Sequence, residues 1–141
     1  MDTTNKYVPP QSRMREILKK YKKVAMVGIS ADQERNSFKV GRFLVKKGYK
    51  VIPVNPNYDS VLGEKSYASL LDIPFEIDIV DIFRRPEAAE PIVEEAIKKG
   101  AKVVWMQEGV INEEAARKAK EAGLEVVMDR CIYKEYKKHF M

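Results

Sequence analysis

A parallel α/β sheet covered by helices on both faces is the fold this sequence predicts. Three observations predict it. Five short apolar runs rich in β-branched residues alternate with segments of helical period. A lysine-lysine-glycine punctuation recurs where helix gives way to strand. Composition is that of a folded chain, with 45% hydrophobic and 33% charged residues. Short apolar runs bounded by turn signals read as buried strands, and alternation with helices makes the sheet parallel.

The first element is an N-terminal helix at about 11–21, from the stripe Met14, Ile17, Leu18 and Tyr21, with Ser12 as its candidate cap. Strand one is Val24-Ala25-Met26-Val27-Gly28. A helix follows on Val40, Phe43 and Leu44, capped by Asn36 or Ser37, and then strand two, Val51-Ile52-Pro53-Val54. Strand three, residues 77–83, alternates, and its carboxylates Asp78 and Asp81 are expected on one side. Ala88, Ala89, Ile92, Val93, Ala96 and Ile97 form the next helical stripe, leading to strand four, Val103-Val104-Trp105-Met106. Ala115, Ala116 and Ala119 form another, with Asn112 as N-cap and Glu113 and Glu114 suiting the positive helix end. Strand five is Glu125-Val126-Val127-Met128, and a basic helix closes the chain at about 132–140. Its His139 is expected to be solvated.

The punctuation at 46–52 recurs at 98–104 and, more loosely, at 121–127. In each, a helix ends at a C′ glycine and a short connection enters a strand. Strand–helix–strand units of this size wind right-handed. The expected architecture is a doubly wound Rossmann-like sheet of five strands in the order 3-2-1-4-5, a single domain over residues 1–141. Such sheets bind ligands beyond the carboxyl ends of their strands.

Composition excludes several function classes. The chain has one cysteine, Cys131, and one histidine, His139. That rules out an internal disulfide framework, a cysteine-only metal site and a multi-histidine centre. No apolar run approaches the ~18 residues of a membrane span, and the polar, basic start lacks a secretory signal. A cytoplasmic protein without membrane partners is expected. Residues 1–50 carry a net charge of +9 and residues 51–141 a net of −4. A basic first half points to an anionic partner, or to lysines that solvate helix ends.

The strand ends carry the chemistry. Gly28 permits a sharp turn and close ligand approach, Ser30 offers a hydroxyl, and Arg35 and Lys39 flank a helix start that favours an anion. The loop matches neither Gly-x-Gly-x-x-Gly nor Gly-x-x-x-x-Gly-Lys-Ser/Thr. After strand two, Asn55-Pro56-Asn57 lacks the carboxylate that holds an NAD ribose. NADP and coenzyme A remain permitted. Phe83-Arg84-Arg85-Pro86 suits phosphate binding, and Gln107-Glu108-Gly109 suits a polar chain such as pantetheine. Glu108 has no nucleophile paired with it in sequence. Cys131 reads either as a small buried hydrophobe or as a thiol able to exchange with a thiol ligand.

Val27-Gly28-Ile29-Ser30, Pro53-Val54-Asn55-Pro56, Val80-Asp81-Ile82-Phe83-Arg84, 104–109 and Asp129-Arg130-Cys131 together resemble the stand-alone CoA-binding domain proteins. These are similar to the N-terminal CoA-binding domain of succinyl-CoA synthetase alpha subunits and of ADP-forming acyl-CoA synthetases. The resemblance spans roughly residues 22–133. It implies a Rossmann-like domain that binds coenzyme A or acyl-CoA. Gly28, Ile29 and Ser30 would meet the CoA phosphates, with Ser37 and Lys39 nearby. Val54, Asn55 and Pro56 would border the adenosine. Phe83, Arg84, Gln107, Glu108 and Gly109 would line the diphosphate and pantetheine path. The synthetases' phosphorylated-histidine domain has no counterpart in this sequence, so the resemblance implies binding without catalysis, by a carrier, a sensor or an accessory subunit with a protein partner. The alternatives are an NADP-dependent oxidoreductase, an acyl transferase using Cys131 or another nucleotide-binding enzyme. A nucleic-acid binder using the basic half is a further class, but no recognition helix or aromatic-basic RNA motif supports specific binding.

Overall fold

The computed structural model describes residues 6–141. The principal sheet is built from β1 (Lys23–Val27), β2 (Lys50–Val54), β5 (Ile79–Ile82), β6 (Val103–Met106) and β7 (Glu125–Val127), all parallel. A two-residue antiparallel hairpin, β3 (Ser60–Val61) and β4 (Glu64–Lys65), follows β2. The helices are α1 (Gln11–Lys20), α2 (Asn36–Lys46), α3 (Ala89–Lys99), α4 (Glu113–Glu121) and α5 (Ile132–Phe140). α3 and α4 pack on one face of the sheet, and α1, α2 and α5 on the other. The doubly wound α/β class, its five parallel strands and its two helical layers match the expectation.

The order of strands differs from the one expected. It runs β2-β1-β5-β6-β7, which places the third sheet strand beside the first, a 2-1-3-4-5 arrangement and not 3-2-1-4-5. The reason lies on the outer edge of β2. Tyr67 N–H donates to the Pro53 carbonyl at 3.0 Å, and Asn55 N–H donates to the Tyr67 carbonyl at 2.8 Å. The outer edge is thus occupied by the segment after the hairpin. Pro53 presents its N–H-less nitrogen to that same side, where a further strand would lose a ladder bond. The third strand therefore crosses back and pairs with the free side of β1. The topological switch point falls between β1 and β5, as in flavodoxin-like sheets.

Each helix stop is built as its residues dictate. Gly48, Gly100 and Gly123 adopt left-handed φ of +93°, +80° and +93°, the conformation that glycine supplies at a helix end without a Cβ penalty. Asn112 caps α4 by accepting from Ala115 N–H at 3.0 Å. The other expected caps are corrected. α1 starts at Gln11 behind Pro10, so Ser12 lies inside its first turn. α2 has no side-chain cap, and the Ser37 hydroxyl accepts instead from Ser30 N–H.

Two side chains depart from expectation by burial. Asp78 and Asp81 stand an odd number of residues apart, and so project to opposite sides of β5. Asp81 is fully buried, in register with Met26 on β1 and Trp105 on β6. Neither of its carboxylate oxygens has a hydrogen-bond partner. Burial alone pushes its carboxyl well above the ordinary range. His139 is not solvated. Its side chain is only 10% exposed, with Nε2 4.0 Å from Glu135 Oε1. The Phe140 ring lies edge-on to its imidazole, with centroids 6.4 Å apart. Trp105 is core, as a large ring in a central strand should be, and its indole N–H donates to the Arg130 carbonyl at 2.8 Å.

Candidate functional site

The carboxyl ends of β1, β5 and β6 open into a cavity of about 730 Å³ at the switch point. Its floor is a close backbone approach. Gly28 sits at φ +93°, and a Cβ there would lie 2.2 Å from the Phe83 carbonyl oxygen and 2.7 Å from Arg84 Cδ. The strand ladder forces that proximity, since Phe83 N–H donates to the Val27 carbonyl and Gly28 N–H to the Val54 carbonyl, both at 2.9 Å.

One wall is the loop from β1 into α2. Ser30 N–H donates to the Ser37 hydroxyl at 3.0 Å, and Ser30 Oγ accepts from Asp32 N–H at 3.0 Å. Asp32 accepts in turn from Glu34 N–H at 2.9 Å and, through its carbonyl, from Arg35 N–H at 3.0 Å. These bonds fold the loop back on itself and bring Arg35, Asn36 and Ser37 to the cavity. Because no side chain caps α2, its first-turn N–H groups are left for a ligand, which the helix dipole favours as an anion.

The second wall is Phe83, Arg84, Arg85 and Ala88. Arg84 stands exposed, its stem over Gly28, and Arg85 makes only a loose 3.6 Å pairing with Glu87. The third wall is the turn Gln107, Glu108, Gly109 and Val110. Gln107 is buried, and its Oε1 accepts from Ile132 N–H at 3.0 Å, which satisfies a free amide at the start of α5. Glu108 pairs with Lys134 at 2.9 Å, and Gly109 N–H donates to Asp129 Oδ1 at 2.8 Å.

The cavity thus gathers Gly28, Ser30, Ser37, Phe83, Arg84, Gln107, Glu108 and Gly109 of the residues singled out in sequence. Ile29, Lys39, Val54, Asn55 and Pro56 lie off its wall. Ile29 and Val54 are buried in the core. Asn55 is buried too, with both ends of its amide committed: Nδ2 donates to the Ile29 carbonyl at 3.0 Å and Oδ1 accepts from Asn57 N–H at 2.9 Å. It splices the loop after β2 to the loop after β1. Lys39 and Pro56 are exposed. Cys131 is a buried free thiol before α5 and is not part of the lining.

Tyr58 lines the cavity with its hydroxyl 3.4 Å from Ser30 Oγ. It lies beyond the strand ends on which sequence reasoning concentrated. The signal for it is the turn Asn55-Pro56-Asn57, which reverses the chain and returns the next side chain to the sheet edge.

Chemically, three arginines and one helix start face a single carboxylate that is already paired. The charge of this lining suits an anionic ligand. Coenzyme A, with a diphosphate, a sugar phosphate and a polar chain, fits that donor set. Among the described residues, no group of three or more His, Cys, Asp or Glu could hold a metal ion. No helix among them is long and apolar enough to cross a membrane.

Comparison with known proteins finds relatives along most of the chain. A protein from Bacillus subtilis strain 168, uncharacterized protein YneT, is 43% identical over 124 residues, covering 88% of this chain and 92% of its own. An ADP-forming acetate–CoA ligase II from Archaeoglobus fulgidus is 33% identical over 100 residues, which cover 70% of this chain but only 15% of the ligase. A solved hypothetical protein from Pyrococcus horikoshii OT3 superposes with a TM-score of 0.95 at 46% identity, covering 100% of this chain and 99% of that one. Residues 22–137, which contain every strand and every wall of the cavity, match the family model for a CoA binding domain, and the chain belongs to that family.

Proposed function

We propose that the chain binds coenzyme A or acyl-CoA in the cavity at the carboxyl edge of its sheet, and that it does so without chemistry of its own, as a carrier, sensor or accessory subunit. The observation that carries the reading is the convergence of Arg35, Arg84 and Arg85 with the uncapped start of α2 on one 730 Å³ cavity. The α2 amides and Ser30 take the diphosphate, and Arg84 closes over it. Arg35 and Arg85 meet the remaining phosphate charge. The Gln107–Gly109 turn borders the pantetheine. In the acetate–CoA ligase relative the matched segment is a small part of a longer chain, so a partner that supplies catalytic groups is compatible with this reading. Glu108 on that turn is paired with Lys134 at 2.9 Å.

Calorimetric titration with CoA, acetyl-CoA, 3′-dephospho-CoA and NADP at two salt concentrations tests the proposal. CoA is expected to bind, and 3′-dephospho-CoA to bind more weakly. Tighter NADP binding, or none by CoA, would refute it. Within the site, Arg84→Ala is expected to weaken CoA about tenfold at low salt, the scale of one charge-assisted phosphate contact, and less at high salt. Lys39→Ala, which removes an exposed charge off the cavity wall, is expected to stay within about twofold. The reverse ranking would move the phosphate site to the outer face of α2.

A further inference from the structure

The turn that forms the third wall is held from outside its own strand. Gly109, at φ +84°, is the apex of that turn. Its N–H is taken by the Asp129 carboxylate, from the segment between β7 and α5, at 2.8 Å. Asp129 itself has a left-handed φ of +61°, one of two such non-glycine residues among those described. Non-glycine residues avoid this region, and aspartate is among the few that tolerate it. The conformation aims the side chain back toward β6. It is not needed to start α5, because Ile132 N–H is met by Gln107 and Glu135 N–H by the Cys131 carbonyl at 2.9 Å. Arg130 N–H donates to the Met106 carbonyl at 3.3 Å, so the two strand ends are already joined by backbone. The Asp129 carboxylate is therefore spent on the cavity turn.

We propose that Asp129 is a positioning residue for the ligand: it fixes the Gly109 turn in the orientation that borders the bound chain, without touching the ligand itself. The ligand half of this inference rests on the CoA reading above. The turn-fixing half does not.

The experiment compares wild type, Asp129→Asn, Asp129→Gly and Asp129→Ala by CoA titration and by hydrogen exchange of the Gly109 amide. Asparagine tolerates the left-handed backbone and offers a carbonyl acceptor, so Asp129→Asn is expected to rescue, binding CoA within about threefold of wild type. Glycine accepts the backbone freely but has no acceptor. Asp129→Gly is therefore expected to keep the thermal midpoint, to weaken CoA about tenfold and to exchange the Gly109 amide faster. Asp129→Ala loses acceptor and backbone fit together, and is expected to lose stability as well. Wild-type affinity in Asp129→Gly would overturn the ligand half. An unchanged Gly109 exchange rate in that variant would overturn the proposal whether or not CoA binds. Faster Gly109 exchange alongside a wild type that does not bind CoA would leave Asp129 as the turn-fixing residue and refute the ligand instead.

Discussion

Gly28→Ala is expected to eliminate CoA binding and to destabilise the fold by about 2–5 kcal/mol, the range of a left-handed backbone penalty combined with overpacking. Two independent features of the position act together. Its φ of +93° disfavours any side chain, and the added methyl would lie 2.2 Å from the Phe83 carbonyl oxygen and 2.7 Å from Arg84 Cδ. The carbonyl cannot retreat without breaking the β1–β5 ladder, in which Phe83 N–H donates to the Val27 carbonyl. The arginine stem can retreat, but it then carries its guanidinium out of the cavity. Titration is expected to show more than a hundredfold loss of affinity, and thermal unfolding a midpoint lower by several degrees. Near-native affinity in Gly28→Ala would show that the floor of the cavity plays no part in binding.

The second large effect concerns Asp81. Its buried carboxyl lacks partners, and its proton affinity is raised by desolvation. The folded state therefore holds a proton that the unfolded chain releases at ordinary carboxyl pH. Stability from this group is fully present below the unfolded value near 3.8 and is lost as pH rises toward the folded value. Within that window the slope is about 1.4 kcal/mol per pH unit. Asp81→Leu, an apolar replacement between Met26 and Trp105, is expected to raise stability at pH 7 by about 1–4 kcal/mol, the scale of the proton-uptake penalty it removes at that slope. At pH 4 the gain should be much smaller. Denaturant unfolding at the two pH values measures both. A gain equal at pH 4 and pH 7 would mean that Asp81 does not change ionisation on folding.

The strands and helices were legible in the sequence because the signals that define them are local. A run such as Val103-Val104-Trp105-Met106, or a glycine such as Gly100 behind two lysines, states its own conformation. Strand order is not local. Its clue was Pro53, a missing donor on an edge, together with a hairpin too short to announce itself. The same division runs through the site. Gly28, Ser30 and Arg84 are placed by the strand that precedes each of them, and the sequence marks those strands. Lys39 and Asn55 depended on side-chain direction. On α2 the buried residues are Ser37, Phe38, Val40, Gly41 and Leu44, and Lys39 falls between them on the outward face. Asn55 looks like a ligand donor until its amide is found tied to Ile29 and Asn57. The turn at 55–57 marks where Tyr58 returns to the sheet edge, and Asp129 stands in a segment the sequence already singled out, but their contacts with Ser30 and Gly109 are long-range and only the fold shows them. His139 stands among lysines in sequence, but helical period turns it inward.

The edge of β2 has a consequence beyond strand order. A bare strand edge invites pairing with any extended chain that meets it. Here the proline and the segment after the hairpin close one side, and at the other Met128 N–H, just past β7, donates to the Tyr7 carbonyl at 2.9 Å. A sheet sealed in this way can stand next to unrelated polypeptide, or be joined to it covalently, without exchanging strands.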